Sequence, residues 1–220
     1  MNSTNQNILR LAPSIIAMAI VILVSNVLVQ IPIDHVINLA GRQLNMSELL
    51  TWGALTYPVA FLVTDSTNRI YGKQSARKVV YVGFALGVFL SLVTAFGLAS
   101  EIASREKVGL FTALTRSGEA FDMLRIALAS GSAFLIGQLL DITIFDKLRT
   151  ASWWKAPTVS SFFGSLTDTA IFFSLAFAGT GLPWINWAMG DFGVKLLMVA
   201  LLLYPFRLIL SFSPVRPKIA

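Results

Sequence analysis

PTVSSFFGSLTDTAIFFSLAFA, residues 157–178, decides how the rest of the chain is read. Its 22 residues are predominantly apolar, and as a helix rising about 1.5 Å per residue they would cross a bilayer. One carboxylate, Asp168, sits near the middle. A charge at that depth costs about 2.5–3.5 kcal/mol on insertion scales, so it is either satisfied by another helix or put to use. Counting back one helical turn at a time from Asp168 reaches Gly164 and then Ser160, a groove of small residues that a second helix can approach closely. Asp168 is therefore either an interhelical hydrogen-bonding group or part of a substrate or proton site. The remainder of the chain favours the site.

Composition sets the class. Hydrophobic residues make up 55% of the 220 and charged residues 13%, with a mean hydropathy of +0.73. That balance suits a bundle of membrane helices and not a water-soluble domain. The pI of 9.9 and the net charge of +6 would also suit nucleic acid, but the basic residues fall in short connections, as membrane topology requires. The chain has no cysteine and a single histidine, His35. Disulfides, thiolate catalysis and multi-histidine metal sites are thereby excluded. The first apolar run has no charge before Arg10 and no convincing cleavage site, so it reads as an uncleaved helix.

Six spans are expected, at about 11–31, 49–70, 79–99, 126–145, 157–178 and 192–212. Together they form one all-α integral membrane domain over residues 1–220. The first is entered through Pro13, tolerated in a first turn. Gly83 and Gly87 form a GxxxG pair suited to helix packing. The longest connection, 100–124, has balanced charges, and Val108, Leu110, Phe111 and Leu114 suggest a short amphipathic helix on the membrane surface. With a cytoplasmic N-terminus, eleven of the seventeen lysines and arginines lie on that side: Arg10; Arg69, Lys73, Arg77 and Lys78; Lys147, Arg149 and Lys155; Arg207, Arg216 and Lys218. The positive-inside rule then places both termini in the cytoplasm.

In this orientation three acids descend from the midplane to the inner face. Asp168 lies about 16 Å in from the cytoplasmic side and Asp141 about 10 Å, and Asp65 ends the second span. Asp141 is approached through the small residues Ala133 and Gly137, with Gln138 one turn away. Arg69, four residues beyond Asp65, could hold it in a helical salt bridge without excluding a role in binding. Trp153 and Trp154 read as interface anchors. Phe172 shares the Asp168 face and fits packing or stacking.

VTDSTNRIYGKQSARK (63–78), GQLLDITIFDKLR (137–149) and SWWKAPTVSSFFGSLTDTAIFF (152–173) resemble the bacterial queuosine precursor transporters, also called the vitamin uptake transporter family. The resemblance covers about residues 50–175. It implies import of the 7-deazaguanine bases preQ0 and preQ1 across the cytoplasmic membrane for making tRNA queuosine, with no direct contact to nucleic acid. The chemistry fits such a base. A carboxylate accepts from its ring N–H and exocyclic amine together, Gln138 or Asn68 can donate to its carbonyl, and an aromatic ring suits its plane. The expected substrate-binding residues are Asp65, Asn68, Gln138, Asp141, Ser161, Asp168 and Phe172. No cofactor, metal or catalytic residue is expected, and the Gly and Ser stripes would permit a homodimer.

Two rivals remain. The substrate-binding subunit of an energy-coupling-factor vitamin importer would also have six spans, but its docking helix carries an AxxxA surface that Ala12, Ala17 and Ala19 do not make. An intramembrane aspartyl enzyme would use Asp141 and Asp168 facing each other and sharing a proton. Serine-hydrolase and metalloenzyme signatures are absent.

The topology has a direct test, because each engineered cysteine would be the only thiol. E106C should react with a membrane-impermeant thiol reagent added outside intact cells, and S75C should not. The opposite pattern would invert the depth order of the three acids.

Overall fold

The computed structural model describes residues 3–28, 31, 33–34, 36–39, 42–45, 50–109, 112–113 and 118–213. The chain runs through α1 (Ser3–Leu28), a short hairpin of β1 (Val36–Leu39) and β2 (Arg42–Asn45), α2 (Trp52–Thr56), α3 (Val59–Tyr71) and α4 (Lys73–Glu106). It continues through α5 (Gly118–Leu148), α6 (Lys155–Phe177) and α7 (Trp184–Phe212). The hairpin is antiparallel, with Val36 opposite Asn45 and Leu39 opposite Arg42. Five helices are long and apolar enough to cross a membrane: α1 from Leu9, α4, α5 from Leu124, α6 and α7. Their outward faces are apolar, as lipid requires. On α7, Leu197, Leu201, Tyr204 and Phe212 are 57–80% exposed, which no water-facing helix of a soluble domain would tolerate along its length.

The sequence-based spans need four corrections. The span expected at 49–70 is two helices broken at Tyr57 and Pro58. Pro58 has no N–H to continue the ladder, and Ala60 and Phe61 instead donate three residues back to Tyr57 O and Pro58 O. Its second piece, α3, has only 13 residues. The span expected at 79–99 is the 34-residue α4, about 50 Å long. It takes up much of the expected surface connection, and ends where Lys107 adopts a left-handed conformation, φ 53°. Of the proposed amphipathic residues, Val108 is exposed, while Leu110, Phe111 and Leu114 lie outside the described residues. The last span begins at Trp184 and not at 192, immediately after Pro183, which the helix tolerates at its start. Finally, α1 begins before Pro13, which falls in the first turns of its membrane-crossing part from Leu9.

Helix α3 passes directly into α4 through Gly72, whose φ of 87° no L side chain adopts without strain. One core cluster joins α1, α3, α4 and α5 through Met18, Ile22, Ala60, Ala76, Val79, Val80, Phe134 and Ile142. Gly83, the first residue of the GxxxG pair, brings α4 against α1: a Cβ there would lie 2.7 Å from Met18 Cγ. A second cluster at the other end packs Phe145, Ala156, Phe206 and Leu210.

The closest crossing is between α5 and α6. A Cβ on Gly137 would come within 3.0 Å of both Gly164 O and the Asp168 Cβ, and one on Gly164 within 2.8 Å of Phe61 and 3.0 Å of the Asp141 Cβ. The two backbones therefore touch, in an antiparallel register that sets Asp168 beside Gly137 and Asp141 beside Gly164. Gly164→Ala should lower the detergent melting temperature despite alanine's better helix propensity, because overpacking costs about 1–3 kcal/mol against a gain of about 1 kcal/mol. Gly97→Ala on α4, with nothing within 4 Å of the added methyl, should not. Equal melting temperatures would deny the crossing its role.

Candidate functional site

A cavity of about 530 Å³ lies among α1, α2, α4, α5, α6 and α7. Seven aromatic residues stand in its walls. Phe172 packs edge-on against Phe173 at 5.1 Å and Phe177 at 5.9 Å, and Phe177 stands edge-on to Trp187 at 5.6 Å. Across from them Tyr57, at the break between α2 and α3, meets Phe134 edge-on at 6.0 Å. A helix interrupted beside a cavity is where membrane transporters place their substrates.

Three charged residues also line it: Asp168 on α6, and Asp191 and Lys195 one turn apart on α7. Lys195 Nζ lies 2.6 Å from Asp168 Oδ2 and 2.7 Å from Asp191 Oδ2. It also donates to Thr169 Oγ1 at 3.1 Å, and Thr169 donates in turn to Asp191 Oδ2 at 2.8 Å. An ammonium has three protons, and all three find an acceptor. The cluster as a whole carries one net negative charge. Asp168 is thus satisfied by another helix and also presented to a cavity, so the two sequence-based readings of it are compatible.

Asp191 and Lys195 were missed because the last span was expected to begin at 192, which put Asp191 in a loop. The signal was available. Asp and Lys four apart in an apolar run are an ion pair in search of a buried partner, and Asp168 had the matching need.

The other expected residues form a second group on the far side of the Gly137–Gly164 crossing. Ser161 Oγ lies 3.2 Å from Asp65 Oδ2 and 3.3 Å from Asp141 Oδ1, and Ser160 Oγ reaches Asp65 Oδ1 at 3.5 Å. The Ser161 hydroxyl thus stands between the two carboxyl groups, within hydrogen-bonding distance of both. Asn68 donates from Nδ2 to Ile142 O at 3.1 Å, next to Asp141. Gln138, 1% exposed, finds no partner for either amide atom among the described residues. Of the seven expected residues, only Asp168 and Phe172 line the large cavity.

The expected Asp65–Arg69 salt bridge is not made. Arg69 donates to the carbonyls of Arg149 and Trp153 and lies over the Phe145 ring at 5.2 Å. Its guanidinium reaches the carbonyls of the α5–α6 connection, while Asp65 turns to α6 one turn deeper. The facing pair of Asp141 and Asp168 is not made either. Asp168 sits beside Gly137 and Asp141 beside Gly164, about one helical turn apart along the crossing, and Asp141 shares the Ser161 hydroxyl with Asp65.

Removing one member of a buried ion network leaves its partners uncompensated, at a cost of about 3–5 kcal/mol. Lys195→Met should therefore lower the melting temperature sharply, and adding Asp168→Asn should restore part of the loss. Additive losses in the double variant would show that the two side chains do not depend on each other.

The sequence profile of a family described as "Putative vitamin uptake transporter" matches residues 51–210. The chain is 38% identical over 195 residues to a protein of Haemophilus influenzae named "Probable queuosine precursor transporter". It is 33% identical over 196 residues to the "Queuosine precursor transporter" of Escherichia coli. Each match covers 84% of this chain and 79% of the relative. A Bacillus subtilis protein named "Probable queuosine precursor transporter" is 33% identical over 135 residues, covering 59% of this chain and 57% of that protein. No solved structure matches. A profile that spans all the helices from α2 onward, together with relatives matched over most of their length, leads to one conclusion: this chain is a multi-pass membrane protein of the vitamin uptake transporter family.

Proposed function

We propose that this protein imports a 7-deazaguanine base, a precursor of tRNA queuosine, across the bacterial cytoplasmic membrane, and that the aromatic cavity above Asp168, Asp191 and Lys195 is where the base binds. The relatives are named for a queuosine precursor, the sequence resemblance implies the 7-deazaguanine class, and the cavity supplies the chemistry. The observation that carries the reading is a charged cluster at the floor of an aromatic cavity inside a membrane protein, where charge is otherwise expensive.

The parts suit the base. A carboxylate of Asp168 or Asp191 accepts from the ring N–H and the exocyclic amine, and Phe172 or Trp187 lies against the plane. The net negative charge of the cluster suits the cationic aminomethyl arm of preQ1.

Helices α2 and α3 act together as a sixth, broken crossing, and both termini are cytoplasmic. The cavity draws on the C-terminal parts of α1 and α6 and the N-terminal parts of α5 and α7, which in this orientation are the outer halves of all four. The protein is thus arranged to take its base from outside, with the α5–α6 crossing closing the path below.

Restoration of tRNA queuosine by added preQ0 or preQ1, in cells that cannot make either, is the test. Cells carrying the protein should recover queuosine at base concentrations where cells without it do not. In purified protein, Asp191→Asn should weaken binding about tenfold or more, because a lost charged hydrogen bond is worth about 1.5–3 kcal/mol. Unchanged affinity in both Asp191→Asn and Asp168→Asn would remove the cluster from the binding site.

A further inference from the structure

Asp65 and Asp141 have no role in the cavity, yet they are 2% and 0% exposed and share the Ser161 hydroxyl in the interior of a membrane protein. Two buried carboxylates this close cannot both stay ionised without a cation, and among the described residues no lysine or arginine is ion-paired with either. On α3, Arg69 is held by backbone carbonyls. From α4, Lys73 pairs with Asp146 at 3.8 Å, and Arg77 and Lys78 follow at the same helix end. From α5 and its connection come Asp146, Lys147 and Arg149, the last donating to Arg69 O. Helix α6 offers the hydroxyls of Ser160 and Ser161, with Lys155 at its exposed start. The facing side of α7 is apolar (Val199, Leu202, Leu203, Phe206); its Lys195 is taken by Asp168 and Asp191, and its Arg207 lies over Trp153. Helix α1 brings only Arg10, exposed near its start, and α2 no charge.

The polar atoms around the pair make the same demand. Asp141 Oδ2 is buried and receives no hydrogen bond from an N–H or hydroxyl of the described residues. The Asp65 carboxyl beside it becomes a donor only when it carries a proton. Around them Asn68 Oδ1, both amide atoms of Gln138 and Ser165 Oγ are also buried without partners. The α5–α6 register places Gln138 and Ser165 next to Gly137 and Gly164, in the layer between the acid pair and Asp168. These are polar side chains leading from the cavity floor to the acids.

We infer that Asp65 and Asp141 form a proton-binding site, separate from the substrate cavity, through which inward movement of one proton drives inward movement of the base. This deepens the reading of the protein as an importer and rests on it. No covalent bond of the base changes. One proton joins the pair from the outside, crosses with the base and is released to the cytoplasm, and the pair then returns to share or regain a proton. The unpartnered oxygens of Asp141 and Asn68 and the hydroxyls of Ser160 and Ser161 would also suit a small hard cation, which the test separates from a proton.

The experiment uses the full chain in proteoliposomes, with the membrane potential clamped and labelled preQ0 outside, chosen because it is uncharged. Exchange of label without any gradient first establishes that the protein carries the base. If the wild type exchanges neither preQ0 nor preQ1, the importer reading fails and this inference falls with it. If it exchanges, an inside-alkaline gradient of about one pH unit should raise accumulation up to about tenfold for one proton per base, and a protonophore should abolish the increase. In Asp141→Asn and Asp65→Asn the ratio of uptake with and without the gradient should fall to about one. A wild-type ratio of one, a response to a sodium gradient in its place, or a full proton response in both variants would each overturn the assignment. A variant that fails to fold leaves the wild-type ratio to decide.

Discussion

Backbone contact between α5 and α6 at Gly137 and Gly164 is the constraint on which the arrangement depends. Without a Cβ at either position the helices meet closely enough to exclude any side chain between them, which leaves a narrow waist in the bundle. Above the waist the helices diverge into the cavity, with Asp168 at its floor. Below it Asp141 is pressed toward α3 and meets Asp65. A larger residue at either glycine would separate the helices and merge two polar sites that the fold keeps apart.

Each site then solves the problem of buried charge differently. At the cavity floor two carboxylates flank one ammonium whose protons are all used, so the cluster is fixed in place and still one charge short of neutral. Below the waist no lysine or arginine of the described residues is ion-paired with either acid, and the acids have the serine hydroxyls between them. A fixed ion network suits recognition, whereas an acid pair whose charge depends on a mobile cation suits coupling. The broken α2–α3 segment reaches both, with Tyr57 at the cavity and Asp65 two turns later in the acid pair.

Much of the molecule was legible in the sequence. Mean hydropathy and the lengths of the apolar runs gave a membrane bundle, since a helix facing lipid must be apolar whatever its neighbours. The small residues before Asp168 and Asp141 announced a close helix crossing, because only glycine, serine and alanine permit one. Asp168 was recognisable as costly and therefore meaningful from its depth alone. The motifs at 63–78, 137–149 and 152–173 carried the family.

What only the tertiary structure decided is which polar groups meet. Periodicity places a residue on a face of its own helix and says nothing about the rotation of the next one. Asp65 was four residues from Arg69 and free to pair with it, yet the guanidinium went to backbone carbonyls and the carboxylate to Asp141. Lys195 lay unremarked near the start of the expected last span until α7 was seen to begin at Trp184, eleven residues before it, which sets that lysine deeper in the helix and against Asp168. A buried charge states in the sequence that it needs a partner, and the packing of the helices names the partner.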